Sequence, residues 1–174
     1  MYDNRILRIF KAVGAVLLVA GILTGAQTAR ADCADPPIPG VDYSNCNFDR
    51  LNLSGVDLTG AHLRGSSFIR ANLAEINLSE ATGYRTKFLS ATLTGAVLDG
   101  GKFFQADFSR ADLRDASLAG ADLRSASFYN ADLRGANLTG TRLSEADLSG
   151  AKLSGATWTD GNYTCREGSV GRCN

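Results

Sequence analysis

Few side chains in this 174-residue chain could do acid–base chemistry. Two carboxylates held close together can act as general acid and base, and Asp112 and Asp132 are such a pair, twenty residues apart. An arginine follows each of them two residues later, which favours ordinary surface charge balance. The single histidine, His62, has no serine or cysteine partner in a recognisable motif. These residues predict no enzyme and no cofactor.

The cysteines are the other reactive side chains, and there are four of them. No two have the close spacing of a zinc finger, and the only histidine lies far from all four in the sequence. An even number of cysteines in an exported chain is typical of a disulfide framework. The sequence therefore predicts two disulfide bonds and no metal site, with free thiols as the alternative; the four cysteines are Cys33, Cys46, Cys165 and Cys173.

The first 31 residues have the pattern of an export signal. Arg5, Arg8 and Lys11 precede an apolar run at 12–25, and Ala29-Arg30-Ala31 offers small residues for cleavage after Ala31. The alternative is an uncleaved anchor, but 14 apolar residues are short for a membrane span. We expect a periplasmic or secreted protein with no span after cleavage. Its mature part would carry 14 Lys and Arg against 17 Asp and Glu, a net charge near −3.

A period of five residues dominates the rest of the chain. From Phe48 to Tyr163 every fifth residue is bulky and apolar, with Gly83 as the single exception. A small residue, usually alanine, lies two positions before each bulky one, and a polar residue lies between them. In an extended chain the small and bulky residues point to one side and the polar residue to the other. Five is neither a helical nor a flat-strand period, so the pattern predicts stacked copies of one small unit.

The units, such as ADLRG, ADLRS and ANLTG, resemble the pentapeptide-repeat family, whose consensus is A(D/N)LXX. The match covers 46–165, which is 24 units. The resemblance implies an all-β fold: a right-handed quadrilateral parallel β-helix, or solenoid, of about six coils with four units in each. The expected organisation is then a signal peptide at 1–31, an N-terminal cap at 32–45, the repeats, and a C-terminal cap tail at 166–174.

The sequence supports four units per coil independently. Residues twenty apart would then stack, and one such column is a run of phenylalanines: Phe48, Phe68, Phe88, Phe108 and Phe128. A three-sided coil would scatter these residues over different sides. The remaining columns are mostly leucine, so we expect one core side to be a phenylalanine ladder.

The rod implied by the resemblance also decides the disulfide pairing. Cys46 and Cys165 begin and end the coils, so they lie about a rod length apart, whereas a disulfide requires Cα atoms within about 7 Å. We therefore expect the pairs Cys33–Cys46 and Cys165–Cys173. Each would hold a cap over one end, where unpaired strand edges invite association. End-to-end association of two copies remains open.

Departures from the repeat are where a function is to be sought. Gly83 either leaves a cavity or marks a local bulge, and Tyr84 would turn inward to fill the gap; if the register holds, Tyr84 points outward instead. Large apolar residues also occupy outward positions in the middle coils, with arginines beside them. A clustered patch of this kind marks an interaction surface, although scattered tolerance of apolar residues is the alternative. The candidate binding residues are Arg64, Ile69, Tyr84, Arg85, Leu89, Phe104, Arg124 and Tyr129.

Charge divides between the sides in the same way. The two sides that contain Phe48 and Leu63 carry nine Lys and Arg against five Asp and Glu, and the other two carry three against eight. A basic face suits an anionic partner such as an envelope polysaccharide, an acidic protein or a phosphate-bearing lipid. The alternative is chance drift of charge over solvated faces.

These features favour a non-enzymatic exported scaffold that binds an unknown protein or an anionic envelope component. A second hypothesis is a structural or stress-tolerance protein without a specific ligand. A third is protection of DNA gyrase, which acidic cytoplasmic members of the family achieve by mimicking DNA. The export signal and the weak net charge argue against that role. The acids on the basic sides and the compartment argue against direct nucleic-acid binding.

Overall fold

The computed structural model describes residues 33–174, and the predicted signal peptide lies outside this range. Within 33–174 no helix and no strand of several residues is present. Instead each five-residue unit contains a single bridging residue, followed one residue later by a two-residue turn. A helix able to cross a membrane is likewise absent from this part of the chain.

The bridges connect residues twenty apart and build a parallel β-helix. They run without interruption from Asp42–His62 to Asn137–Thr157, and all of them are parallel. Each bridge is held by backbone hydrogen bonds, as where Leu63 N donates to Thr82 O at 2.7 Å. A register of twenty with a unit of five means that four units complete one turn, which confirms the spacing of the phenylalanine column.

The polar residue and the frequent glycine of the unit form its corner. Bridging Asp and Asn side chains accept a hydrogen bond from the backbone two residues later, as where Ser109 N donates to Asp107 Oδ1 at 2.9 Å. Such Asx turns bend the chain from one side of the coil to the next. The last residue of every unit from Gly40 to Gly155 has positive φ, for example 64° at Gly100 and 55° at Arg85. Glycine adopts this conformation without strain, which explains its enrichment there.

The core is a stack of the bulky residues, with alanines beside them. The phenylalanine column forms a ladder in which successive ring centroids are 5.1, 5.3, 4.8 and 5.1 Å apart and nearly parallel, in the order Phe48, Phe68, Phe88, Phe108 and Phe128. Burial of each such side chain stabilises the fold by roughly 1.5–3 kcal/mol before entropy is subtracted. The core thus has the predicted ladder.

Gly83 leaves no cavity, because Phe103 occupies the space that a side chain would take. A Cβ atom added at Gly83 would lie 2.5 Å from Phe103 Cδ1. Gly101 replaces the usual alanine for the same reason, since its Cβ would also meet the Phe103 ring. The ring packs edge-on against Phe88 and Phe108, with centroids 5.9 and 6.0 Å away. Gly83 and Gly101 therefore both provide the space that the Phe103 ring occupies.

The regular register begins at Asp42, one unit before the expected boundary at 46. Tyr43 serves as the first core residue: it is 3% exposed and its ring centroid lies 4.7 Å from that of Phe48. Its hydroxyl donates to Asp35 O at 2.7 Å, which ties the N-terminal cap to the core. The predicted Cys33–Cys46 disulfide is present and holds the same cap.

At the other end the parallel register stops at Thr157, so the coils do not continue to 165 as expected. Asp160 Oδ1 accepts from Asn162 N and Tyr163 N, and Gly161 has a φ of 73°. This Asp-Gly turn reverses the chain, and Thr157 pairs with Thr164 in antiparallel orientation. Tyr163 is therefore 40% exposed rather than a core residue.

The tail that follows the turn covers half of the C-terminal end. A second antiparallel bridge joins Lys152 to Val170, and the predicted Cys165–Cys173 disulfide fixes the tail. Leu143 and Leu148, on the two sides that the tail does not cover, are only partly buried. One end of the coil thus keeps two open sides.

Candidate functional site

Tyr84 and Phe104 stack on the outside of the coil. Both occupy the turn position just after a core residue, and their ring centroids lie 5.8 Å apart with an interplanar angle of 11°. Tyr84 therefore points outward and does not turn into the core beside Gly83. Arg64 and Arg124 occupy the same position in the coils on either side. We call these four residues the outer ladder.

Arginines flank both rings of the outer ladder. Arg64 Cζ lies 5.4 Å and Arg85 Cζ 4.9 Å from the centroid of Tyr84, and Arg124 Cζ lies 5.7 Å from that of Phe104. Cation–π contacts at exposed sites stabilise by about 0.5–1 kcal/mol each. Because each ring is covered by the other ring and by guanidinium groups, the surface presents ring edges and guanidinium N–H groups to solvent.

The three arginines differ in how far they are already neutralised. Arg124 binds Asp122 through two hydrogen bonds, Nε–Oδ1 at 2.8 Å and Nη2–Oδ2 at 2.7 Å. These hydrogen bonds hold the pKa of the Asp122 carboxyl below its usual value. Arg85 donates its Nε to Gln105 Oε1 at 2.9 Å. Among residues 33–174 no carboxylate forms an ion pair with Arg64 or Arg85.

The adjoining side carries the remaining candidate residues. Ile69 and Leu89 are stacked one coil apart, where Arg70 N donates to Leu89 O at 3.0 Å, and both are partly buried. Tyr129 is 44% exposed but lies two coils beyond Leu89 in the same column. The structure therefore places Ile69 and Leu89 on the side next to the outer ladder in the same coils, and Tyr129 away from them.

Positive charge is concentrated around these residues. The segments 61–70, 81–90 and 101–110 form the two sides in three consecutive coils. They contain one acid, Asp107, against six bases: Arg64, Arg70, Arg85, Lys87, Lys102 and Arg110. The local excess is five positive charges, whereas the same two sides have an excess of four over the full length of the β-helix. We call Arg64, Ile69, Tyr84, Arg85, Leu89, Phe104 and Lys102 the aromatic–basic face.

The carboxylates that could form an acid–base pair are neutralised on another side. Arg114 binds Asp112 and Arg134 binds Asp132, each with an Nη2–Oδ2 distance of 2.7 or 2.6 Å. The side-chain hydrogen bond from the arginine lowers the pKa of each carboxyl. Both acids are therefore ionised partners in surface ion pairs. In the described residues no three His, Cys, Asp or Glu side chains are grouped to hold a metal ion.

The sequence analysis missed two contacts that distinguish the neutralised Arg124 from the charged Arg85. Asp122 and Gln105 were not among the candidates, yet they decide which guanidinium groups are free. The signal for Asp122 was present, because an Asp two residues before an Arg also occurs at Asp112. Gln105 follows Arg85 by twenty residues, so the stacking rule could have found it.

The register and the unit define a parallel β-helical repeat protein. The model of the Pentapeptide repeats family matches eight copies, at residues 38–65, 61–100, 102–140 and 141–160. These matches cover more than half of the chain, and the protein belongs to the pentapeptide-repeat family. They also end at 160, where the structure leaves the parallel register.

Several solved structures are similar to this chain. HetL, involved in heterocyst differentiation regulation in the cyanobacterium Nostoc sp. strain PCC 7120, is 29% identical, with 72% of this chain and 65% of HetL covered and a TM-score of 0.34. Rfr23 from the cyanobacterium Cyanothece 51142 is 25% identical, with 67% and 90% covered and a TM-score of 0.42. QnrB1, a plasmid-mediated fluoroquinolone resistance protein, is 24% identical, with 69% and 64% covered and a TM-score of 0.38. No curated protein matches.

Proposed function

We propose that this protein is a non-enzymatic, exported scaffold that binds a partner protein or an anionic envelope component through the aromatic–basic face. In this proposal the scaffold is a right-handed quadrilateral β-helix of about six coils, as the family resemblance implies, and the parallel register of twenty residues supports it. The observation that carries the proposal is the outer ladder together with Arg85. The Tyr84 ring stacks on Phe104 and contacts Arg64 and Arg85, and neither arginine has a carboxylate partner among residues 33–174.

The composition of the face supports binding. Tyrosine and arginine are enriched among the residues that dominate the energy of protein interfaces. A side chain held by stacking loses less conformational freedom on binding than a free one, which favours affinity. The outer ladder suits both conditions, because its two rings stack on each other and each contacts an arginine of the ladder.

The disulfide bonds support export. Disulfides persist in oxidising compartments and are rare in the cytosol, and one lies at each end of this coil. Together with the predicted signal peptide they favour a periplasmic or secreted protein. The likeness to QnrB1 brings no comparable support for a role at DNA gyrase, since that alignment has a TM-score of 0.38.

A pull-down from envelope extract tests the binding surface. The variant Arg64→Gln/Tyr84→Ser/Phe104→Ser/Arg124→Gln should retain less of the bound partner than the wild type, because it removes the outer ladder. Arg114→Gln/Arg134→Gln is the matched control, since it removes two arginines from another side. Undiminished capture by the ladder variant would overturn the binding role and favour the second hypothesis, a structural protein without a ligand.

Cell fractionation tests the compartment separately. We expect the protein in the exported fraction with residues 1–31 removed, as mass spectrometry of the intact chain would show. An uncleaved protein in the cytoplasm, with its cysteines reduced, would contradict export and return attention to a cytoplasmic target such as gyrase.

A further inference from the structure

The cations of the outer-ladder side fall into two groups along the coil axis. Toward the C-terminus, Arg124 and Arg142 share Asp122, with Nη–Oδ2 distances of 2.7 and 3.5 Å. Toward the N-terminus, Arg64, Arg85 and Lys102 lie on three consecutive coils, and none of them has an ion pair within residues 33–174. An incoming anion would therefore meet free cations only in the N-terminal group.

The spacing of the free cations suits an extended ligand. Consecutive coils are about 4.8 Å apart, the distance between hydrogen-bonded strands. Arg64 and Arg85 both approach the ring of Tyr84, at 5.4 and 4.9 Å, so their Cζ atoms lie no more than the sum of these distances apart. In an extended peptide, side chains on one side recur about every 6.7 Å. The peptide spacing exceeds the coil spacing by about 2 Å, a difference that long, exposed arginine and lysine side chains can span, so alternate acidic residues can reach successive cations.

The covered ring faces argue against a glycan. A sugar that stacks on an aromatic side chain needs an open ring face, and the stacked rings of Tyr84 and Phe104 leave mainly their edges. Ile69 and Leu89 form an apolar column on the adjoining side of the same coils. A ligand that used the whole face would need apolar groups beside its charges, which a peptide has and a polyuronic acid lacks.

We propose, resting on the proposed function, that the partner presents an acidic, extended peptide segment that also carries apolar side chains. Its carboxylates bind Arg64, Arg85 and Lys102, and its apolar side chains contact Ile69 and Leu89. Charge-assisted hydrogen bonds to the guanidinium groups, which contact the Tyr84 ring, provide the specificity. The segment ends before Arg124, where Asp122 would repel its carboxylates.

Fluorescence anisotropy with labelled peptides tests this proposal. The first probe is a twelve-residue peptide of six Glu, three Leu and three Ser, and the second replaces each Leu by Ser. We expect the Leu peptide to bind more tightly than the Ser peptide. We also expect its affinity to fall as salt is raised, because the cations are exposed. Polygalacturonate and phosphatidylglycerol vesicles serve as competitors and should displace the Leu peptide only weakly.

Paired variants locate the contacts. Arg64→Gln/Arg85→Gln should weaken binding of the Leu peptide about tenfold or more. Asp122→Asn/Arg124→Gln, which removes an ion pair as a whole, should change it less than about twofold, because Arg124 is already neutralised. Glutamine fits at position 85, since Gln105 occupies the same corner with a φ of 57°, close to the 55° of Arg85. Ile69→Ser/Leu89→Ser should weaken the Leu peptide and leave the Ser peptide unchanged. Thermal unfolding of each variant checks that the coil is intact.

Several outcomes would overturn the inference. These are no peptide binding, equal binding of the two peptides, a loss from Asp122→Asn/Arg124→Gln as large as that from Arg64→Gln/Arg85→Gln, or tighter binding of the polysaccharide or the vesicles. If the ladder variant still lost its partner in the pull-down, the proposed function would stand and only the acidic-peptide assignment would fail.

Discussion

The pairing of Gly83 with Phe103 yields a prediction about stability. Gly83→Leu places a side chain where Cβ alone would lie 2.5 Å from Phe103 Cδ1 and 2.8 Å from Thr86 Oγ1. The backbone at Gly83 does not have positive φ, so the cost comes from packing and not from strain. Overpacking of this kind costs about 1–3 kcal/mol. Phe103→Leu removes the ring and leaves space above Gly83, at a cost of about 1–2 kcal/mol, below the cost of Phe→Ala.

The combined variant should be more stable than the two single variants suggest. Gly83→Leu/Thr86→Ala/Phe103→Leu gives this side the Leu and Ala pattern that Leu123 and Ala126 show two coils later. A volume-conserving exchange usually costs less than about 1.5 kcal/mol. The coupling between positions 83 and 103 should therefore be about 1–3 kcal/mol in favour of the combined variant.

Urea unfolding followed by circular dichroism measures the free energy of unfolding of four proteins. These are Thr86→Ala, the same background with Gly83→Leu, with Phe103→Leu, and with both changes. The comparison is sound if the m-values agree, because m reports the surface exposed on unfolding. Additive losses, with the combined variant destabilised by the sum of the single costs, would show that Phe103 does not fill the space above Gly83.

Three further predictions concern the core and the two ends. Phe108→Asp should unfold the middle coils, because a charge inside the ladder has no partner, and a normal thermal transition would contradict the core assignment. Burial raises the pKa of Tyr43 to about 12, so stability should hold below about pH 10 and fall from there toward pH 12. Thermal unfolding of Tyr43→Phe should lack this loss. Cys165→Ser/Cys173→Ser should cost about 2–3 kcal/mol in urea unfolding, and an unchanged midpoint would mean that the tail needs no disulfide.

Much of the scaffold could be predicted because its cause is periodic. The recurrence of Phe48, Phe68 and Phe88 at intervals of twenty fixes which residues stack, and the observed bridges have that register. The disulfide pairing followed from the same geometry, since Cys46 and Cys165 lie at opposite ends. A repeat in which each coil contacts only its neighbours leaves few alternatives.

The ends and the details of the face could not be predicted in the same way. Tyr163 fits the period, yet the local Asp160-Gly161 turn reverses the chain before it. The twenty-residue spacing does not indicate whether a local turn interrupts the repeat. The filling of the Gly83 gap depends on the direction of the Phe103 ring, which is a matter of side-chain conformation. Side-chain conformation also decides the contact of Arg85 with the ring of Tyr84, its neighbour in the same turn.

Site-specific photo-crosslinking in intact cells tests the central claim most directly. A photoreactive residue at position 104 places the probe in the outer ladder, and one at Ala119, on another side, serves as the control. We expect a discrete adduct in the exported fraction from position 104, weakened by Arg64→Gln/Arg85→Gln, and none from position 119. Equal labelling from both positions, or no adduct from position 104, would contradict binding through the aromatic–basic face.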